Sequence, residues 1–300
     1  MIERIVGHTK QLAYFERMIA EGNLLHAYLF EGESGVGKKK AAIELSKRIL
    51  CRSEEDLRYF ASGYFPDFYL LSTSENELKT EEVRLIQDFL LSAPARAEKK
   101  VVIVDDAEKM NPQAQNKMLK LIEEPPSYAV FFFITSNRDA LLPTLLSRLI
   151  RISFRNLSAE DLRAALEERG LAYEERLAVL SNGSLAKYLE LLEAEDNGVY
   201  DFVFGLRDAL KKGDSLALYD YAKGMEQYKD TPHELLDALE FFASDLLVWR
   251  SEGAGEPELS ASRVAGYLEA VGEARYRLSR NQNKELILSN LILKLQGVFS

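Results

Sequence analysis

The sequence predicts an α/β domain with a mostly parallel sheet, followed by helical domains. Three observations predict this class: short apolar runs of strand length fill the first half of the chain, helical patterns alternate with them, and strand patterns stop near residue 156. Near-continuous apolar runs are typical of parallel strands covered on both faces. Alternation of strands and helices indicates right-handed crossovers and a doubly wound sheet.

The strands are predicted directly from the apolar runs. These runs are 27–32, 67–72, 101–106, 129–136 and 149–154.

Three helices are predicted between the strands. Two of them span 38–50 and 80–91, and Thr80 is expected to be the N-cap of the second. In the third, Asn111 caps a helix that begins at Pro112, and a pair of prolines ends this helix.

Helices are also predicted for most of the second half. Ser158 caps the first of them, and the sequence Asn-Gly-Ser at 182–184 interrupts the chain before another helix start. The predicted segments are 158–169, 173–181, 184–195, 198–212, 231–252, 260–279 and 283–297.

Composition excludes several classes of protein. The chain has 300 residues, enough for about two domains, and its 47% hydrophobic content excludes disorder as the main state. The net charge of −10 excludes a globally basic nucleic-acid coat. Cys51 is the only cysteine, which excludes an intrachain disulfide and a multi-cysteine zinc site. Without a signal-peptide pattern or a long apolar stretch, we expect a cytoplasmic protein that makes no membrane contact.

A glycine-rich segment follows the first predicted strand and opens the first helix. It contains Gly32, Gly35, Gly37 and Lys38, and matches G-x-x-x-x-G-K, but Lys39 stands where the phosphate-loop motif ends in Ser or Thr. Glycines let backbone amides point at a phosphate chain, and Lys38 would reach the outer phosphates. A coincidental glycine-rich turn is the alternative.

The magnesium ligands expected beside a phosphate loop are incomplete. Lys39 offers no oxygen, and its charge would repel a dication ~4 Å away by roughly 8 kcal/mol at an effective dielectric of 20, unless the side chain points to solvent. Asp105 and Asp106 end the third strand. Asp105 is suitably placed to hold magnesium, whereas Asp106 is shorter than the glutamate that usually orients the attacking water. Alternatively, the two acids merely end a strand.

Four segments, in this order and spacing, resemble the AAA+ clamp-loader subunits of bacterial DNA polymerase III. The resemblance is strongest to the delta-prime type and next to the gamma/tau type. It implies an AAA+ phosphate-loop domain at 1–156, a helical lid at 157–205 and a helical collar for oligomerisation at 206–300. The segments are HAYLFEG at 26–32, VDDAEKM at 104–110, NKMLKLIEEPP at 116–126 and LLPTLLSR at 141–148.

The resemblance also implies roles for single residues. It places the adenine pocket at residues 6–8, and makes Arg148 the arginine that reaches into a neighbouring subunit's ATP site. Without the family context, a charge at a helix end is the favoured explanation of Arg148. The implied nucleotide positions are Gly32, Gly35, Gly37, Lys38, Lys39, Asp105, Asp106 and Ser136.

Departures from the family pattern bear on activity. Residues 52–65 replace the zinc module of many relatives, and Ala186 stands where catalytic relatives have a sensing arginine. Together with Lys39 and Asp106, Ala186 favours a non-motor, stator-like clamp-loader subunit whose own ATPase is weak or absent. The alternatives are an active gamma/tau-like ATPase and an unrelated phosphate-loop protein.

Partners and cofactors follow from the resemblance. We expect gamma/tau-like motor subunits and a clamp-opening, delta-like subunit as partners, with the sliding clamp and primed DNA reached through the complex. We expect no metal and no zinc, and any ATP or ADP binding to depend weakly on magnesium.

Overall fold

The computed structural model forms two compact units, each with its own hydrophobic core. The first unit is Met1–Tyr173 with Gly183–Lys187, and the second is Glu174–Asn182 with Tyr188–Ser300. The structure describes residues 5–73, 75, 77–193, 198–212, 214–229, 231–232, 235–236, 238–239, 261–279 and 283–299.

The first unit contains a five-stranded sheet in which every strand pair is parallel. The strands run in the order β2-β3-β4-β1-β5, so β4 is central and lies between β3 and β1. All five strand predictions are confirmed, and each observed strand lies within one residue of a predicted run or inside it. The strands are β1 (Ala27–Glu31), β2 (Phe68–Leu71), β3 (Lys100–Val104), β4 (Ala129–Thr135) and β5 (Ile150–Ser153).

Side chains alternate between the two faces of the sheet. Phe131 and Phe133 of β4 pack into the core cluster on one face. Tyr28, Phe30 and Phe132 pack with other aromatic residues on the opposite face. All five side chains are fully buried. This alternation explains why the strands read as unbroken apolar runs, since both faces of the sheet are covered.

Seven α-helices lie among the described residues 5–173 of the first unit. They are α1 (Thr9–Ala20), α2 (Lys38–Leu50), α3 (Glu54–Ala61), α4 (Thr80–Leu90), α5 (Pro112–Glu123), α6 (Pro143–Leu146) and α7 (Ala159–Glu167).

Two of the predicted caps are confirmed and one is wrong. The Asn111 side chain accepts from the Ala114 N–H at 2.8 Å, and the Ser158 hydroxyl accepts from the Asp161 N–H at 3.1 Å. Thr80 is the first residue of α4, and Lys79 is its N-cap. The Glu82 carboxylate accepts from the Lys79 N–H at 2.9 Å, so this helix start is stabilised without a capping hydroxyl.

The second unit is helical throughout its described residues. Most of the predicted segment 231–252 lies outside the described residues, and the three-domain division stays a prediction. No described helix has the length and apolar content needed to cross a membrane. The helices that begin after residue 174 are α8 (Glu175–Ser181), α9 (Leu185–Glu193), α10 (Gly198–Lys212), α11 (Ser215–Gly224), α12 (Ala261–Ser279) and α13 (Lys284–Phe299).

Candidate functional site

The glycine-rich loop lies between β1 and α2, at the carboxyl end of the sheet. Ligands of open α/β sheets bind at this end. Gly32 has φ +148°, and a Cβ there would lie 2.1 Å from the Phe154 carbonyl oxygen. Gly35 has φ +78°, and a Cβ there would lie 2.2 Å from Ser184 Oγ. The loop therefore requires glycine at both positions, for its backbone conformation and for the close approach of neighbouring segments.

Lys38 is buried and its ammonium is bonded within the loop itself. It donates to the Gly32 carbonyl at 2.7 Å and to the Glu33 carbonyl at 2.6 Å, and only 6% of the residue is exposed. Burial lowers the pKa of Lys38, while nearby carboxylates, Glu108 first among them, act in the opposite direction. Lys38 thus has the position expected of a phosphate-loop lysine, but a phosphate would have to compete with two carbonyl oxygens for it.

Lys39 forms an ion pair with the first acid of the second motif. Its Nζ lies 2.8 Å from Asp105 Oδ2, and Asp105 is largely buried while Lys39 is about half exposed. The sequence left open that Lys39 simply points to solvent, and the ion pair shows that this alternative is wrong. The reason is electrostatic: a partly buried carboxylate at the end of a strand is stabilised by the nearest cation, and α2 supplies it.

Asp106 is directed towards a different partner. Its backbone adopts the left-handed conformation at φ +48°, and its carboxylate lies 3.0 Å from the Lys109 ammonium. Asp105 and Asp106 are thus each paired with a lysine of the same unit.

Ser136 follows β4 and is bonded to a residue that the sequence reasoning missed. Its N–H donates to Glu108 Oε1 at 3.0 Å, and its hydroxyl donates to the same oxygen at 2.5 Å. Burial raises the pKa of Glu108, but hydrogen bonds to the carboxylate, those from Ser136 first among them, outweigh burial, so the pKa lies below its usual value. The available signal was the spacing, because Glu108 lies three residues after Asp105 in the same motif.

Residues of two distant segments close around the loop. The His8 Nε2–H donates to the Val36 carbonyl at 2.8 Å. The Ser184 hydroxyl donates to the Ser34 carbonyl at 3.0 Å, and the Ala186 N–H approaches the Gly35 carbonyl at 3.5 Å. A groove of about 620 Å³ lies beside His8 and is lined also by residues of α1 and β5.

The residues present fit a phosphate chain but do not fit a magnesium ion. The loop and the start of α2 provide backbone amides, whereas residue 39 provides an ammonium group and Asp105 is already neutralised by it. Among the described residues, no cluster of three or more His, Cys, Asp or Glu side chains is arranged to hold a metal.

Burial raises the pKa of Cys51 to about 11, so this thiol is protonated at neutral pH.

Arg148 lies just after α6 at the surface of the same unit. Its guanidinium donates to the Thr144 carbonyl at 2.9 Å and pairs with Glu123 Oε1 at 2.6 Å. The side chain remains 40% exposed. The bond to Thr144 is the contact expected of a charge at a helix end, and the exposed fraction leaves the side chain accessible.

A family model described as DNA polymerase III, delta subunit, matches residues 7–158, just over half of the chain. The chain belongs to this family of clamp-loader subunits. The matched residues include the glycine-rich loop, both acids of the second motif, Ser136 and Arg148.

Individual relatives of this clamp-loader subunit are also subunits of DNA polymerase III. It is 26% identical to the DNA polymerase III subunit delta' of Bacillus subtilis over 306 residues, covering 93% of each chain. It is 31% identical to the subunit tau of Escherichia coli over 206 residues, covering 63% of this chain and 32% of tau. The clamp-loader subunit therefore spans about a third of the tau sequence.

A solved structure is also similar to this clamp-loader subunit. It is a DNA polymerase III, gamma subunit-related protein from Thermotoga maritima, 22% identical, with a TM-score of 0.49. The alignment covers 97% of this chain and 100% of that chain.

Proposed function

We propose that this chain is the non-motor, stator-like subunit of a DNA polymerase III clamp loader. In this role it does not turn over ATP itself, and Arg148 completes the ATP site of a neighbouring subunit. The proposal draws on the family membership, on the chemistry of the glycine-rich loop and on the surface position of Arg148.

One observation carries the proposal: the ion pair between Lys39 and Asp105. In phosphate-loop enzymes, a Ser or Thr hydroxyl and an acid of the second motif hold the magnesium ion. Here the hydroxyl is replaced by an ammonium group, and that group neutralises the acid. Binding of magnesium would require breaking the pair and placing a dication near a cation, which is doubly unfavourable.

The contacts of Arg148 are consistent with a role in trans. Exposed ion pairs contribute only about 0.2–1 kcal/mol, so exchanging Glu123 for a phosphate on a neighbouring subunit would cost little. An arginine supplied in trans stabilises the negative charge of the transferred phosphoryl group, an effect worth about 10³–10⁵ in rate.

A second candidate function is an active, gamma/tau-like ATPase. It is favoured by the 31% identity to the tau subunit and by the presence of Lys38 at its expected position. Lys39, Asp106 and Ala186 argue against it, because each lacks a group used in hydrolysis.

The proposal includes the partners of the chain and the roles of its helical regions. Motor subunits of the gamma/tau type and a clamp-opening, delta-like subunit would be direct partners in the cytoplasm. The sliding clamp and primed DNA would be reached through the complex. Residues 157–205 would act as the lid, and 206–300 as the collar that holds the subunits together.

Reconstitution with motor and clamp-opening subunits tests this function. Native mass spectrometry should find this chain incorporated beside the motor subunits. Lys38→Ala in this chain should leave the stimulated ATPase of the complex unchanged, because the proposed role does not use its own loop for turnover. Failure to assemble, or a proportionate loss of turnover with Lys38→Ala, would contradict the proposal.

A further inference from the structure

Glu108 has a carboxylate near the glycine-rich loop, and the proposed function gives this carboxylate no role. One of its oxygens, Oε1, accepts both the N–H and the hydroxyl of Ser136. The other oxygen, Oε2, is buried and has no hydrogen-bond partner among the described residues. A carboxylate oxygen that is buried without a partner is costly, so its presence calls for an explanation.

The carboxylate lies near the start of the glycine-rich loop. Ser136, which bonds Glu108, directly follows β4, and β4 pairs with β1, the strand that leads into the loop. The lysine of a phosphate loop contacts the outer phosphates of a nucleotide. Among the carboxylates that act on Lys38, Glu108 has the strongest effect on its pKa, ahead of Glu33, Asp105 and Asp106. The hydrogen bonds from Ser136 keep the pKa of Glu108 below its usual value, so the group is negatively charged at neutral pH.

We propose that Glu108 is a specificity-determining residue that disfavours the terminal phosphate of a nucleoside triphosphate and leaves the diphosphate as the preferred nucleotide. This inference rests on the proposed function, in which the loop no longer supports turnover but retains its phosphate-binding backbone. The inference identifies the nucleotide that the site would accept as a nucleoside diphosphate.

The reason is competition for the same donor and repulsion between like charges. A hydroxyl has one proton to donate, and that of Ser136 is donated to Glu108. A terminal phosphate oxygen would have to displace the carboxylate from Ser136 and then lie beside its negative charge. A diphosphate ends one group earlier, so the Glu108–Ser136 pair can stay intact.

The test measures binding of fluorescently labelled ATP and ADP to the full chain in EDTA. Excluding magnesium separates this question from the role of Lys39. Wild-type protein should bind ADP at least about tenfold more tightly than ATP, and Glu108→Gln should bring the two affinities within about threefold, mainly by strengthening ATP binding. Glu124→Gln, which removes an exposed acid just beyond α5, is the matched control and should leave the wild-type ratio unchanged.

A second pair of variants keeps the test informative if Glu108→Gln fails to fold. Glu108→Ala should shift the ATP/ADP ratio in the same direction, whereas Ser136→Ala retains the carboxylate and should keep ADP preferred. Equal affinities in wild type, or variants at position 108 that still reject ATP, would overturn the inference. Magnesium-dependent turnover by wild type would instead contradict the proposed function, so the two failures are distinguishable.

Discussion

The glycine-rich loop and the Arg148 edge belong to the same α/β unit but hold their charged groups in different ways. Around the loop, Lys38 is buried and Asp105 is largely buried, and their bonds are to residues of the site itself. Arg148 is held by one carbonyl, the Ser147 hydroxyl and one exposed carboxylate. We expect this difference to decide which region acts on another molecule: the lysines of the loop already have close partners within the site, whereas the arginine can exchange its partners at low cost.

The largest effect should come from Arg148→Ala in the assembled complex. The neighbouring ATP site should lose about 10³-fold or more of its turnover, because the charge supplied in trans is gone. Arg148→Lys should rescue little, since an ammonium group lacks the planar fork that engages two phosphate oxygens. Stimulated ATPase at equal occupancy is the measurement, with Arg58→Ala on α3 as an exposed control.

Arg148→Ala should leave the fold intact, because the residue contributes about 1 kcal/mol or less through exposed contacts. Equal stimulated turnover in both complexes would mean that Arg148 is only a helix-end residue, and the comparison between the two regions would fail.

The rigidity of the loop is tested by Gly32→Ala. The new Cβ would overlap the Phe154 carbonyl at a φ that side chains avoid, so the free energy of unfolding of the α/β unit should fall by at least about 3 kcal/mol. Gly22→Ala has a positive φ but open space, and should cost only about 1 kcal/mol. Chemical denaturation measures both. Similar losses for the two variants would show that the close packing of the loop is unimportant.

A smaller effect is expected when Lys39 is replaced by Thr. The variant frees Asp105 and restores a hydroxyl, so magnesium should strengthen ATP binding by about tenfold in the variant and hardly at all in wild type. Fast hydrolysis should not appear, since Asp106 and Ala186 remain. Calorimetry with and without magnesium is the measurement, and Lys120→Thr on α5 is the control. Tight, magnesium-dependent binding by wild type would contradict the importance of the ion pair.

The smallest effect should come from chelation of zinc. A structural zinc contributes about 10–16 kcal/mol in small domains that depend on it, so its removal is easily detected by thermal unfolding. The sequence has one cysteine and three histidines, which lie in unrelated segments. EDTA should therefore leave the unfolding temperature unchanged, and elemental analysis should find no stoichiometric zinc. One zinc per chain would refute this prediction.

The sheet could be predicted from the sequence because its strands are short, buried on both faces and bounded by polar residues. Caps such as Asn111 and Ser158 were predictable because the donor they satisfy lies three residues along the chain. Helices α1, α3 and α11 were missed. The start of α3 does carry a signal, since Ser53 and Asp56 form a capping box.

The glycines of the loop and the two acids of the second motif stand out as local patterns in the sequence, whereas Ser136 and Arg148 were implied by the family resemblance. Glu108 was missed, and the pairings within the site could not be predicted. The bond between Lys39 and Asp105, and that between Glu108 and Ser136, join residues far apart in the chain. Such pairings depend on which strands are neighbours and on side-chain orientation, neither of which a local pattern contains.

The most direct test of the central claim is the steady-state ATPase of the isolated chain, compared with its Lys38→Ala variant in the presence of magnesium. Because Lys39 occupies Asp105, we predict no magnesium-dependent turnover above the level of the variant. Turnover that requires magnesium and is abolished by Lys38→Ala would contradict the account and identify the chain as a motor subunit.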